Sequence, residues 1–139
     1  MGKLPKVGDV FRHDFMFADD QVLAYAALSG DSNPIHVAAQ YAAQTDFGRC
    51  IVHGYFSISV FSKIYGTLLY PEGHILISQS AKYIKPVFTA TSYTAVMTTK
   101  ELLPAKNRVV YQNDIIDRYT GELKVTGEAV LMNKLYYNW

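Results

Sequence analysis

The sequence lacks the features by which several large classes of protein are recognised. Its only cysteine, Cys50, cannot form an internal disulfide, which fits a reducing compartment such as the cytoplasm. Lys and Arg number 13 against 12 Asp and Glu, so the net charge of +1 gives no bulk attraction to nucleic acid or to an acidic membrane surface. The segment MGKLPKVGDVF has no apolar signal core, and no window approaches the ~18 apolar residues of a membrane span. We therefore predict a cytoplasmic protein without nucleic-acid or membrane partners.

Motifs for a metal site and for a serine nucleophile are also missing. The four histidines, His13, His36, His53 and His74, are scattered and show neither an HExxH motif nor paired Cys/His spacing. No GxSxG turn is present, and Ser62 does not follow such a turn. We therefore predict neither a bound metal nor a nucleophilic serine.

The chain is well supplied with core-forming residues. Half of its 139 residues are apolar and 14% are aromatic, which is enough for one sizeable core, so residues 1–139 are predicted to form a single domain. The pattern predicts a strand over 9–17 and a helix that starts at Asp19 and ends at Gly30. Residues 55–70 carry one charge and are apolar on nearly every side, which predicts a buried helix.

Four extended segments complete the chain. They are predicted at about 74–84, 91–102, 107–117 and 122–133, and DRYTGE between the last two is typical of a hairpin turn. Consecutive strands with short connections favour an antiparallel sheet. The expected fold class is α+β, with one curved sheet packed on one long buried helix.

The first candidate for chemistry is the DSNPIH segment. A carboxylate, Asp31, and an imidazole, His36, flank a turn that is stiffened by Pro34, so the two groups can converge on one small molecule such as water. The alternative is that Asp31 only caps the following helix and His36 is an ordinary satisfied histidine. Asn33 is open in the same way, since its amide can fix an active turn or merely favour the turn geometry.

The second candidate is the HGYFS segment, where a loop turns into the buried helix. The first N–H groups of a helix lack internal partners and lie at the positive end of the helix dipole, so they can stabilise a developing negative charge. Gly54 has no side chain that blocks the approach of a carbonyl group. The alternative is that this glycine only relieves backbone strain.

These segments together resemble a known family, the MaoC-like hydratases with the hot-dog fold, and especially the (R)-specific enoyl-CoA hydratases. The resemblance covers most of the chain. It depends on SGDSNPIH at 29–36, IVHGYFSISVFS at 51–62, KPVF in the following strand and VTGEAV at 125–130. It implies a single hot-dog domain, with an antiparallel curved sheet wrapped around a long central helix, and a homodimer with the active-site tunnel near the subunit interface.

The resemblance also implies an activity and roles for residues. The substrate would be a trans-2-enoyl-CoA, hydrated reversibly to an (R)-3-hydroxyacyl-CoA by water that Asp31 and His36 activate as acid/base residues. The Gly54 N–H would hold the thioester carbonyl, and His53 would position the loop. Ser62 would lie near the catalytic pair or line the acyl pocket, unless its hydroxyl only bonds the preceding turn. No cofactor is expected, because coenzyme A is part of the substrate.

Three other functions stay open on the sequence. A 3-hydroxyacyl-carrier-protein dehydratase would use the same residues on another thioester carrier. A hot-dog thioesterase commonly needs a carboxylate on the central helix, and residues 55–70 contain no Asp or Glu. A non-catalytic acyl-CoA-binding domain would not need the Asp31, His36 and Gly54 combination. The C-terminal NKLYYNW is expected either to pack on a partner or to fray.

Overall fold

The computed structural model describes residues 3–139. Six strands form one antiparallel sheet with the order β1-β4-β5-β6-β2, and the short β3 also pairs with β6. The strands are β1 Val10–Phe15, β2 Ile75–Gln79, β3 Lys82–Tyr83, β4 Tyr93–Leu103, β5 Arg108–Asp117 and β6 Leu123–Met132. The predicted α+β class and antiparallel sheet are confirmed.

The helices precede most of the sheet in the chain. They are α1 Asp19–Ser29, α2 Pro34–Val37, α3 Ala39–Ala43 and α4 Gly54–Lys63, which continues into a π-helical turn at Ile64–Leu69. Helix α1 ends at Gly30, whose φ of 81° and N–H bond to the Ala26 carbonyl confirm the predicted terminator. Among residues 3–139, no helix has the length and apolarity that a membrane crossing requires.

The β5–β6 connection forms the hairpin that DRYTGE predicted. The Asp117 carboxylate accepts the N–H groups of Tyr119 and Thr120, each at 2.9 Å, and these bonds hold the pKa of Asp117 below its usual range. Gly121 has a φ of 74°, a conformation that favours glycine. This turn sets the register in which β5 and β6 pair along nearly their full length.

The core lies between the sheet and the α4 helix with its π-helical turn. Val60, Phe61, Ile64 and Tyr65 are buried against strand residues. The prediction of a buried helix over residues 55–70 is correct for only one of its faces in the single chain, because one sheet covers only one face of a helix. The opposite face, with Tyr55 80% exposed, stays open to solvent.

The predicted strand at 74–84 is divided into β2 and β3. The register shifts between Leu76 and Ser78, and Ser80 N–H then bonds to the Glu128 carbonyl at 2.8 Å. A Cβ at Gly127 would lie 2.0 Å from the Ser80 carbonyl oxygen, so the backbone there needs a glycine on β6. Sequence alternation alone did not show this break.

The C-terminal segment packs on its own chain. Tyr137 and Asn133 are fully buried, and Tyr137 lies edge-on to Tyr70 with ring centroids 5.8 Å apart. The Asn133 amide donates to the Glu72 carbonyl and accepts the N–H groups of Leu135 and Tyr136. Fraying of this segment, one of the two expectations, is therefore wrong.

Candidate active site

The DSNPIH segment forms a compact turn held by short side chains. The Asp31 N–H donates to the Ser29 hydroxyl at 3.1 Å, and the Asp31 carboxylate accepts the Asn33 N–H at 3.2 Å. The side-chain oxygen of Asn33 accepts the Ile35 N–H at 3.3 Å and caps helix α2, whose first residue is Pro34. The helix cap is therefore Asn33 and not Asp31, which leaves the second Asp31 oxygen available for chemistry.

His36 is held in one orientation and one tautomer. Its Nδ1 lies 2.8 Å from the Ile51 carbonyl oxygen, and its side chain is only 11% exposed. A carbonyl can only accept a hydrogen bond, so Nδ1 carries the proton and Nε2 of the neutral ring presents a lone pair. The Ile51 N–H in turn donates to the Ile35 carbonyl at 3.2 Å, which ties the DSNPIH turn to the segment that leads into α4.

Asp31 and His36 present two acceptors to one point. Asp31 Oδ2 and His36 Nε2 are 4.0 Å apart, and the Asp31 side chain is 52% exposed. A water oxygen about 2.8 Å from each acceptor would view them at about 90°, near the angle between the two O–H bonds of water. Asp31 and His36 can therefore hold one water, each by accepting a hydrogen bond from one of its two O–H groups.

His53 connects these two residues. It is 2% exposed, and its Nε2 donates to the Asp31 main-chain carbonyl at 3.0 Å. Its ring stacks on the His36 ring, with centroids 3.9 Å apart and planes 27° apart. The Tyr25 ring packs against His53 in an edge-on arrangement, with the two centroids 4.7 Å apart. This placement supports the positioning role that was predicted for His53.

Asp31, His36 and His53 also form a cluster that the sequence did not reveal. One ligand-type atom from each lies within 4.8 Å of the other two. A metal needs ligand lone pairs that converge on it at about 2.0–2.2 Å, whereas the lone pairs of His36 and His53 lie in ring planes that are only 27° apart and whose centroids are 3.9 Å apart. The geometry thus favours the water site over a metal site, and the absence of a metal stays a prediction.

Gly54 is the first residue of α4, so its N–H lies at the helix N-terminus. Within the described part of the chain, this N–H has no hydrogen-bond acceptor. The space beside its α-carbon is not empty, however, because a Cβ there would lie 2.9 Å from Tyr83 Cζ and 3.2 Å from the Tyr83 hydroxyl. The Tyr83 ring occupies the space that a Cβ would take, a contact that the sequence interpretation missed.

A cavity of about 370 Å³ connects His36 with Gly54, and Asp31 is not among the residues that line it. Its wall includes His36, Phe47, Gly54, Ser57, Tyr83 and Val87.

The serine of α4 that lies at this cavity is Ser57. It is 1% exposed and donates to the Gly54 carbonyl at 2.7 Å. Ser62 lies on the exposed face of α4, in a separate cavity of about 300 Å³ that Tyr65 and His74 also line. The single chain therefore brings His36 and Gly54 together and keeps Ser62 apart from them.

The comparisons with known proteins agree with this geometry. Residues 5–117 match the family model described as MaoC like domain. The chain belongs to the MaoC-like family. It is 38% identical to an (R)-specific enoyl-CoA hydratase of Aeromonas caviae over 91% of this chain and 93% of that protein. It is also 32% identical to a mitochondrial 3-hydroxyacyl-carrier-protein dehydratase of Solanum lycopersicum, over 93% of this chain and 78% of that one.

Solved structures of MaoC-like proteins have the same architecture. The (R)-hydratase from A. caviae superimposes with a TM-score of 0.86 at 37% identity, covering 93% of this chain and 97% of that one. The sheet and central helix described above are therefore a hot-dog fold, as the motifs predicted.

Proposed function

We propose that the protein catalyses the reversible hydration of trans-2-enoyl-CoA to (R)-3-hydroxyacyl-CoA. The observation that carries this proposal is the pair of acceptors, Asp31 Oδ2 and His36 Nε2, 4.0 Å apart beside the cavity that Gly54 lines. The relatives named (R)-specific enoyl-CoA hydratase support the same reaction and the same product configuration.

The proposed reaction uses two hydrogen-bond acceptors, Asp31 and His36, and one donor, the Gly54 N–H. Asp31 and His36 orient the water oxygen toward C3 of the enoyl group and take one of its protons as the C–O bond forms. The electrons of the double bond move toward C2 and the thioester oxygen, where the Gly54 N–H and the α4 dipole stabilise the charge. The captured proton then passes to C2. The water is fully consumed, and the pair returns to its starting protonation.

The supporting residues act on this pair and not on the substrate. His53 fixes the Asp31 backbone through its carbonyl, and Asn33 holds the start of α2 so that His36 keeps its orientation. Proton transfer and water addition need no redox or metal chemistry, so we propose that no cofactor takes part. The cytoplasmic location stays a prediction.

A carrier-protein thioester is the second candidate substrate, because the relative from S. lycopersicum is named a 3-hydroxyacyl-carrier-protein dehydratase. The chemistry is unchanged, and the carrier alone differs. A thioesterase is disfavoured, since residues 54–69 of α4 and its π-helical turn contain no carboxylate.

We propose that two copies of the chain form a homodimer through the β2 edge. Strand β2 pairs only with β6 among the described strands, so its other edge presents unpaired backbone groups. Ile75, Leu76 and Ile77 on this strand are 52%, 55% and 39% exposed, an apolar surface that a second copy would cover. Light scattering should give twice the chain mass of 15.6 kDa, and Leu76→Lys should reduce it to one chain.

Product analysis tests the proposed reaction. The protein is incubated with crotonyl-CoA or with the same acyl group on a carrier protein, and the configuration of the 3-hydroxyacyl product is determined. We expect the (R) product and faster turnover of the CoA thioester. Free thiol without hydroxyacyl product would identify a thioesterase, and faster turnover of the carrier-protein thioester would identify the second candidate.

A further inference from the structure

Tyr83 is the side chain that lies directly against Gly54, whose N–H is proposed to bind the thioester carbonyl oxygen. It belongs to β3, which pairs with β6 through Tyr83 and Val125, and it is 48% exposed at the cavity that His36 and Gly54 line. The atoms nearest the vacant side of Gly54 are its Cζ, Cε1 and hydroxyl oxygen. The polar end of the ring, and not its edge near Cβ, therefore lies at the glycine.

The hydroxyl lies within reach of the oxygen that the Gly54 N–H would bind. It is 3.2 Å from the position of a Gly54 Cβ. Since N and Cβ of one residue are about 2.5 Å apart, the Gly54 nitrogen and the Tyr83 hydroxyl are separated by no more than about 5.7 Å. Donors in oxyanion sites lie about 2.7–3.1 Å from the oxygen they stabilise. One carbonyl oxygen can therefore be within hydrogen-bond distance of both groups.

The hydroxyl is free and protonated. In residues 3–139 no hydrogen bond to the Tyr83 hydroxyl is found, and the side chain is 48% exposed, so a substrate oxygen would displace only solvent from it. Burial raises the pKa of Tyr83 above its ordinary value, and the neighbouring Tyr55 and Tyr25 add to this effect. The group therefore stays a donor throughout the neutral pH range.

We infer that the Tyr83 hydroxyl donates a second hydrogen bond to the thioester carbonyl oxygen, beside the bond from the Gly54 N–H. The inference builds on the proposed hydratase reaction. As charge moves onto this oxygen during addition of water, both bonds strengthen, so the hydroxyl lowers the barrier more than it tightens binding of the ground state. Tyr83 would thus be a catalytic residue, and its effect would appear mainly in kcat.

The alternative role for Tyr83 is packing alone, in which the ring fills the space beside Gly54 and the hydroxyl does nothing. Tyr83→Phe separates the two roles, because it keeps the ring on Gly54 and removes only the donor. Tyr119→Phe is the matched control, since Tyr119 is 80% exposed in the β5–β6 turn and lies outside the site.

The first measurement is steady-state hydration of crotonyl-CoA by the wild-type chain and by Tyr83→Phe, Tyr119→Phe and Asp31→Asn. Loss of one oxyanion donor costs about 100-fold in a preorganised site, and we expect at least about a tenfold fall in kcat for Tyr83→Phe with KM nearly unchanged. Tyr119→Phe should match the wild type, and Asp31→Asn should be nearly inactive.

The second measurement detects the hydrogen bond itself. An enoyl-CoA labelled with ¹³C at the thioester carbonyl is bound to the Asp31→Asn variant, and the frequency of its carbonyl stretch is recorded. The same measurement is made on the double variant that carries both Asp31→Asn and Tyr83→Phe. Loss of a donor should raise the stretching frequency. A wild-type rate in Tyr83→Phe, or a lower rate without a frequency change, would overturn the inference. The proposed function would still be supported in that case if Asp31→Asn is nearly inactive. An inactive wild-type chain would overturn both.

Discussion

The imidazole of His53 stacks on that of His36 while its Nε2 donates to the Asp31 carbonyl, so one buried ring contacts both members of the proposed catalytic pair. His53→Phe keeps an aromatic ring in the stack and removes the donor. We expect kcat to fall about tenfold with KM little changed, because the misplacement of a reacting group is costly even at small distances. The measurement is steady-state kinetics with crotonyl-CoA. His13→Phe, a replacement on β1, is the control and should keep the wild-type rate.

Gly54→Ala should affect activity more than stability. The added Cβ would lie 2.9 Å from Tyr83 Cζ, but this atom is at the far end of a half-exposed side chain that can swing away. We therefore expect the free energy of unfolding to change by about 1 kcal/mol or less. Hydration should fall at least about tenfold, because the methyl group and the displaced ring occupy the thioester position. Denaturant unfolding and kinetics on the same preparation would check both effects, and loss of several kcal/mol of stability would contradict this account.

The pH dependence of stability should depend on His74. Burial lowers the pKa of His74 below 6.5 in the folded chain, against a smaller opposing effect from a backbone hydrogen bond with Tyr65. The unfolded chain therefore binds the proton more readily, and stability falls as pH drops below about 6.5. His74→Gln should flatten the decline in Tm between pH 7 and pH 5, as followed by thermal melts.

His13→Gln is the comparison for this experiment. Burial and Lys63 also lower the pKa of His13, but among the described residues it is His74, and not His13, that has a buried ring nitrogen without a partner, so replacement of His13 should leave most of the decline in place. Equal curves for wild type and His74→Gln would show that His74 stays solvated in the folded chain.

Asn133 should be a strong determinant of stability. It is fully buried, and Asn133→Ala would leave the Glu72 carbonyl and the N–H groups of Leu135 and Tyr136 without their partners. Each lost hydrogen bond costs about 0.5–1.5 kcal/mol net and three are lost here, so we expect a loss of about 2–4 kcal/mol in urea unfolding. Asn138→Ala, an exposed neighbour, should cost under about 0.5 kcal/mol.

The parts of the fold and site that the sequence predicted correctly are those encoded within short segments. The Gly30 helix end, the turn at Asp117 and the approach of Asp31 to His36 each depend on a few consecutive residues with strong conformational preferences. The family motifs also predicted the hot-dog fold and a glycine at the start of the central helix.

The parts that the sequence did not predict depend on contacts between distant segments. Tyr83 reaches Gly54 only because β3 pairs with β6 at the edge of the sheet, and nothing in local periodicity indicates that contact. The identity of the helix serine at the cavity depends on which face of α4 meets the sheet, and this face places Ser57 inside and Ser62 outside. The break between β2 and β3 follows from a close backbone approach at Gly127.

The most direct test of the account is the rate of crotonyl-CoA hydration by the wild-type chain, Asp31→Asn and His36→Ala, followed by the loss of ultraviolet absorbance of the conjugated thioester. Acid/base groups contribute about 10²–10⁴-fold, so each variant should lose at least about 100-fold in kcat while its Tm stays near that of the wild type. Asp20→Asn, an exposed carboxylate on α1, should match the wild type. Near-normal hydration by either Asp31→Asn or His36→Ala would contradict the proposal that these two residues activate the water.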